Sequence, residues 1–90
     1  MAELIKVKPL KDHKIYLKYS NGLEGEYSLK KVMLKEEYKF LSDDEIFDKV
    51  EVDKKTNDVG WGNGVTLCKN AIYKQLELMQ LAEKLKLDLN

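Results

Sequence analysis

Arginine is absent from this sequence of 90 residues, and all sixteen basic side chains are lysines. Arginine is the usual bidentate contact for guanine and phosphate, so its absence argues against sequence-specific nucleic-acid recognition. Sixteen acidic residues bring the formal net charge to zero, which removes any general attraction to nucleic acid or anionic membranes. A local group of lysines, Lys6, Lys8, Lys11 and Lys14, is interpreted as a solvated surface.

Cysteine and histidine are nearly as scarce, with one of each at Cys68 and His13. One cysteine cannot form a disulfide within the chain, and no Cys/His spacing is typical of a zinc site. No motif places a base beside a nucleophile, so we expect His13 in an exposed turn and Cys68 as a small, partly buried side chain. The sequence therefore predicts no enzyme activity, no catalytic residue, no metal and no cofactor.

Long apolar runs are also missing. The N-terminal segment lacks the apolar stretch of a secretion signal, and no run approaches the length of a membrane span. We therefore expect a cytoplasmic protein without a membrane partner. The length, with 43% hydrophobic and 36% charged residues, indicates one domain over residues 1–90 with a small core.

The first 29 residues predict a strand followed by a hairpin. Ile5 and Val7 alternate with lysines, which indicates a half-buried strand. The odd positions of 15–19 are apolar and share one face, and Asn21-Gly22 is typical of a two-residue type I′ turn before the return strand.

Two short elements are predicted between the hairpin and the second half of the chain. Residues 28–41 indicate a short helical face or a loop, with Ser28 as its cap. Ser42 followed by Glu45 matches a capping box, and the acidic residues there suit the start of a helix. Because strand-forming valines follow closely, that helix has barely two turns.

The only tryptophan, Trp61, lies in "DVGWGNGVTL", residues 58–67. Strands around 50–52 and 59–61 predict a second hairpin unit, and the glycines around Asn63 bend the chain after it. These glycines do not match a phosphate loop, because the Trp interrupts them and no Lys-Ser/Thr pair follows. The stretch is interpreted as a turn whose indole packs on the sheet. The alternative is a partly exposed Trp61 that serves as a contact anchor.

From Asn70 to Leu89 the sequence predicts one long helix, with Asn70 as its cap. Its apolar residues form a broad stripe that includes Ile72, Leu76, Leu78, Met79, Leu81, Ala82, Leu85 and Leu89. The stripe either covers the sheet or, towards its C-terminal end, needs a partner. The predicted fold is α+β: a small, mostly antiparallel sheet from two hairpin units, a short connecting helix and a long C-terminal helix.

Four stretches within residues 4–73 resemble the prokaryotic domain of unknown function 2442 family: "VKPLKDHKIYLKYSNG", "KFLSDDEIFDKVEVD", "GWGNGVTL" and "AIY". W-x-N-G is the most specific of these pieces. The resemblance implies a small α+β core over residues 1–73 and an antitoxin-like role beside a partner protein. Gly62 and Ser28 depart from the family pattern, which commonly has Pro and an acidic residue there. Some members add a helix-turn-helix region, but this chain has one tail helix, so DNA binding does not carry over.

These observations predict a non-enzymatic protein-interaction module, the antitoxin-like component of a bacterial pair. The partner is either a toxin-like protein or a second copy, joined as a homodimer through the C-terminal helix. The candidate interaction residues are Trp61, Asn63, Leu78, Leu81, Leu85 and Leu89. The alternative is a small-ligand or nucleic-acid binding regulatory module, with a pocket lined by Trp61, Tyr16 or Tyr27 or with a lysine patch on one face.

Overall fold

The computed structural model describes residues 2–88, with side chains described as far as residue 85. Two three-stranded antiparallel sheets, a short helix and a long C-terminal helix form the predicted α+β architecture, with the strands divided between two sheets. The elements in chain order are β1 (Leu4–Pro9), β2 (Lys14–Tyr19), β3 (Glu24–Ser28), α1 (Asp44–Phe47), β4 (Glu51–Val52), β5 (Val59–Gly60), β6 (Thr66–Leu67) and α2 (Lys69–Asp88).

The first sheet has the order β1-β2-β3, and the odd positions of β2 are fully buried as predicted. Its register shifts in β1, where Leu4 pairs with Tyr19 and Lys6 pairs with Lys18. Ile5 is the extra residue of a β-bulge, and its side chain is 54% exposed. A bulge breaks the two-residue alternation of a strand. The alternation predicted Ile5 and Val7 on one half-buried face, and this is wrong for Ile5. Leu4 is buried instead, and Val7 packs against the core.

The predicted hairpin between β2 and β3 is confirmed, but its turn is not type I′. Gly22 has φ 94°, whereas Asn21 does not adopt a positive φ. The amide of Gly22 donates to the Tyr19 carbonyl at 3.0 Å, and the amide of Tyr19 donates to the Leu23 carbonyl at 2.8 Å. This is a three-residue loop with a left-handed glycine at its end. The Asn21 carboxamide oxygen accepts from the Leu23 amide at 3.1 Å instead.

The segment after β3 forms two 3-10 helices, Val32–Leu34 and Glu36–Ser42, in place of one helical face. Leu29 is fully buried at the start of this segment. The Ser28 hydroxyl accepts from the Lys30 amide at 3.3 Å. That contact is a local turn, so the predicted role of Ser28 as a helix cap is wrong.

Helix α1 has four residues, about one turn, and is shorter than predicted. Its N-cap is Asp43, whose carboxylate accepts from the Glu45 amide at 3.0 Å. The predicted cap, Ser42, is instead the last residue of the preceding 3-10 helix, where its hydroxyl donates to the Lys39 carbonyl at 2.9 Å. Phe47 is buried and anchors α1 to the core, as expected.

The loop between β4 and β5 is tightly closed and joins the two sheets. Amide hydrogen bonds from Thr56 and Lys55 lower the pKa of the Asp53 carboxyl. Asn57 has φ 63°. Its carboxamide accepts from the Leu4 amide and donates to the Leu4 carbonyl, both at 2.9 Å. This side chain therefore pairs with the start of β1 as a neighbouring strand would.

One core cluster draws on both sheets, the 3-10 segment and both helices. Leucine, isoleucine and aromatic side chains dominate it. Its buried members are Leu4, Ile15, Leu17, Tyr19, Leu29, Leu41, Phe47, Val50, Val59, Trp61, Ile72 and Leu76.

Candidate functional site

Helix α2 begins at Lys69, one residue before the predicted start, and its cap comes from outside the helix. The carboxylate of Asp58 accepts from the Lys69 amide at 3.0 Å. The Tyr19 hydroxyl donates to the Lys69 carbonyl at 2.8 Å. The prediction that Asn70 caps the helix is therefore wrong, because Asp58, at the end of the β4–β5 loop, already satisfies the first free amide.

One face of α2 packs on β3 and holds the helix in place. Ile72 and Leu76 are buried there. A Cβ atom added at Gly25 would lie 3.1 Å from Leu76 Cδ2, so the glycine of β3 allows this close approach. Further along, the Gln80 side-chain amide donates to the Glu24 carbonyl at 2.8 Å. The helix is thus positioned by the sheet through more than two turns.

The opposite face of α2 carries a second apolar stripe. Leu78, Leu81 and Leu85, here called the outer stripe, are 58%, 52% and 54% exposed. Residues of an α-helix are about 100° apart around its axis, which puts the outer stripe roughly 180° from Ile72 and Leu76. The broad single stripe expected from the sequence is therefore two stripes. The fourth predicted leucine, at position 89, lies outside the described residues.

Two residues of the outer stripe, Leu78 and Leu81, form one wall of an open groove of about 710 Å³. Leu23, at the end of the first hairpin turn, forms part of the groove with Leu78 and Leu81. Lys74, Glu77 and Lys84 also line it. The groove therefore combines an apolar floor with one negative and two positive side chains.

Trp61 and Asn63, the other two candidate interaction residues, have local roles. The indole of Trp61 is 3% exposed and meets Phe40 edge to face at 5.6 Å. The alternative of a partly exposed Trp61 as a contact anchor is therefore wrong. The interpretation of a packed indole is confirmed. Among the described residues, its buried N–H finds no hydrogen-bond partner. Asn63 is exposed, and its side chain accepts from the Val65 amide at 3.1 Å, which closes the turn.

His13 does not lie in an exposed turn as predicted. Its side chain is 31% exposed, its Nε2 lies 3.6 Å from Asp44 Oδ1, and its ring meets Phe47 edge to face at 5.3 Å. Asp12 and His13 have φ values of 61° and 56°, an uncommon conformation for two consecutive residues that are not glycine. No sequence signal indicated that the fold brings α1 against this turn.

Cys68 also differs from the prediction, because the structure places this free thiol at the surface rather than partly buried. It lies between β6 and α2. A second open groove contains His13 in its lining, and Cys68 does not line that groove. Within residues 2–88, no three His, Cys, Asp or Glu side chains are grouped as metal ligands would be. Over the same residues, no helix combines the length and the apolar character needed to cross a bilayer.

The aromatic residues proposed for a ligand pocket point in different directions. Tyr27 pairs with Ile15 and shares its core-facing side of the first sheet. Tyr16 lies on the other face, where its hydroxyl donates to the Glu24 carboxylate at 3.2 Å. Trp61 is inside the core. These three side chains therefore do not line one cavity.

The outer face of the first sheet carries a mixture of charges. Lys8, through a side-chain contact and its positive charge, lowers the pKa of Lys6. Glu24 and Glu26 of β3 lie on the same face, opposite Lys18 and Tyr16 of the central strand β2. Lys11 lies apart in the turn before β2. The four lysines on this face are Lys6, Lys8, Lys14 and Lys18.

No family model matches this chain, and no curated protein or solved structure is significantly similar to it. The resemblance to the domain of unknown function 2442 family stays a prediction from the sequence.

Proposed function

We propose that this chain is a non-enzymatic protein-interaction module that binds a partner protein through the outer stripe of α2. The observation that carries the proposal is the exposure of Leu78, Leu81 and Leu85 on the face that the fold leaves unpacked. Burying apolar surface contributes about 25 cal/mol per Å². Contiguous exposed apolar side chains rimmed by polar ones are typical of interaction surfaces.

The distribution of reactive side chains supports a binding role over a catalytic one. His13 precedes β2 and packs against α1, whereas Cys68 precedes α2 at the surface. The groove beside His13 is open to solvent, and its other lining residues are Pro9, Leu10, Lys11, Asp12, Asp44, Phe47 and Asp48. Covalent catalysis needs a nucleophile within reach of its base, and these two groups do not share a groove.

The antitoxin-like role follows from the family resemblance and remains part of the proposal. In that role the outer stripe covers an apolar surface of the partner, such as a toxin, in a bacterial cytoplasm. Covering a partner needs a rigid apolar face, and α2 supplies one because its inner face is fixed by Leu76 and Gln80.

The test is co-expression with the product of the adjacent reading frame, comparing the wild type with Leu81→Glu. A charge in the middle of the outer stripe should abolish co-purification and leave the fold intact, because Leu81 is half exposed. Leu34→Glu is the matched control, since Leu34 is also exposed but lies outside α2. Equal co-purification of the wild type and Leu81→Glu would contradict the proposal.

Removing most of α2 by truncating the chain after Tyr73 would test the proposal less well than Leu81→Glu, because the truncation also removes Leu76 from the core.

Retention of the protein on DNA tests the alternative function, a nucleic-acid binding module. A nucleic-acid module should be retained at low salt and released steeply as salt rises. Retention of that kind, lost on replacing Lys6 and Lys8 but unchanged in Leu81→Glu, would favour the rival.

A further inference from the structure

As far as residue 85, where the described side chains end, the outer stripe carries charge on one of its edges only. Glu77 and Lys84 are both exposed and stand seven residues apart, two turns along one edge. The other edge is formed by residues that are small or uncharged: Ala71, Gln75 and Ala82. Leucines three and four residues apart, with charges along one flank, match the a, d and g positions of a coiled coil.

We propose that the outer stripe binds a second copy of this chain through an antiparallel pairing of the two α2 helices. The inference rests on the proposed function, which makes the outer stripe an interaction surface. With a two-fold axis between Leu78 and Leu81, Leu78 of each copy faces Leu81 of the other. The symmetry then makes every contact twice.

The charges along the edge determine the direction of pairing. In an antiparallel pair, like-named g edges face each other. Glu77 of each copy then meets Lys84 of the other, which gives two opposite-charge contacts. In a parallel pair, the same edge would face the uncharged side with Gln75 and Ala82, and neither charge would be matched. The sequence of α2 is thus complementary to itself in the antiparallel direction.

Lys74, about one helical turn before Leu78, also fits the antiparallel pairing. Lys74 lies in line with the leucines, and in the antiparallel register it faces Leu85 of the other copy. The aliphatic stem of a lysine covers apolar surface while its ammonium group stays in water. Three leucines per copy form a small interface, so the dimer should be concentration-dependent, in the micromolar range, rather than obligate.

Sedimentation velocity over a range of protein concentrations tests this pairing. The wild type should pass from monomer to dimer as concentration rises. Glu77→Lys and Lys84→Glu should each weaken dimerisation about tenfold, because both attractive contacts become repulsive. Glu37→Lys makes the same charge change in the exposed 3-10 segment and should leave dimerisation unchanged. Urea unfolding should be the same for all of these variants.

Charge exchange separates self-pairing from any other partner. An equimolar mixture of Glu77→Lys and Lys84→Glu chains should associate at least as strongly as the wild type, since opposite charges meet again at both contacts. The double variant Glu77→Lys/Lys84→Glu should also recover wild-type dimerisation. Failure of both to recover it, or insensitivity of the dimer to the single changes, would show that the pairing is wrong.

The outcome for self-pairing can be separated from that of the proposed function. A wild type that stays monomeric at every concentration overturns self-pairing. If that monomer still retains a co-expressed partner, and Leu81→Glu loses it, the proposed function stands. If the wild type dimerises but retains no partner, self-pairing stands, and the partner of the interaction module is this chain itself.

Discussion

The two faces of helix α2 contrast sharply although both are built from leucine. Leu76 on the inner face is 2% exposed, whereas Leu81 on the outer face, five residues later, is 52% exposed. Gly25 on β3 makes room for Leu76, and no described strand covers Leu81. The comparison shows that apolar content along a helix does not identify the face that the fold uses. The proposed function accounts for the second apolar face of α2 as a surface that binds a partner.

Replacing a leucine on each face should give the largest difference. Leu76→Ala should lower the free energy of unfolding by about 2–5 kcal/mol, because it removes buried methyl groups and leaves a cavity. Leu81→Ala should change it by less than about 0.5 kcal/mol in a monomeric sample, since its side chain is already half in water. Urea unfolding at low protein concentration measures both. Similar losses for the two variants would mean that the outer stripe is part of the core.

Asn57 should matter next, because it ties the start of α2 to β1. Its side chain bonds the Leu4 backbone twice and accepts from Lys69 Nζ at 2.7 Å. Asn57→Gly permits the left-handed conformation and removes these contacts, while adding the backbone freedom of glycine. We expect a loss of about 2 kcal/mol.

Asn63→Gly is the matched control for that experiment, since this exposed side chain accepts one hydrogen bond within its own turn. It should cost less than about 0.5 kcal/mol. If Asn63→Gly lowers the free energy of unfolding as much as Asn57→Gly, the hydrogen bonds between Asn57 and Leu4 do not contribute measurably to stability.

Gly25→Ala should have a smaller effect that depends on Leu76. The added methyl would lie 3.1 Å from Leu76 Cδ2, and a buried leucine cannot move aside freely. We expect a loss of about 1 kcal/mol in the wild type. In the Leu76→Ala background the same change should be neutral, because the crowding atom is gone. Additive losses in this double-mutant cycle would argue against direct contact.

The smallest effect at neutral pH concerns Tyr19 beneath the start of α2. Burial, followed by the nearby Cys68, Tyr73 and Asp58 groups, raises the pKa of Tyr19 to about 12. An unfolded tyrosine ionises near pH 10. Between these values the unfolded state releases its proton first, so stability should fall as the pH rises from about 10 to 12 and be unaffected below.

Urea unfolding at several pH values measures this slope, and Tyr19→Phe should flatten it. The variant also loses the bond to the Lys69 carbonyl. The free energy of unfolding of Tyr19→Phe at each pH is therefore compared with that of the same variant at pH 7. If stability fell as steeply with pH in Tyr19→Phe as in the wild type, another titrating group would cause the loss of stability above about pH 10.

Local signals predicted several elements correctly. Alternation in β2 placed Ile15, Leu17 and Tyr19 on the buried face, and the Asn-Gly pair marked the hairpin. The uninterrupted apolar pattern from residue 70 indicated the long helix. Each of these depends on residues only a few positions apart, where backbone geometry ties pattern to structure.

Caps and bulges were predicted less well, because several residues can satisfy the same local rule. Ser42 and Asp43 are both good cap residues, and in the structure Asp43 caps α1 while Ser42 ends the preceding 3-10 helix. The bulge at Ile5 has no signature in the alternation around it. Such choices depend on competing contacts of similar energy.

The residue order was sufficient to set the strands, the hairpin and the extent of α2, since these arise between near neighbours in the chain. Tertiary packing decided the burial of Trp61, the exposure of Cys68, the contact of His13 with α1, and the division of the helix leucines into two faces. The contact of Asn57 with Leu4 joins residues 53 positions apart. Burial depends on which distant segment packs against a side chain, and a pattern read along one segment contains no information about the other.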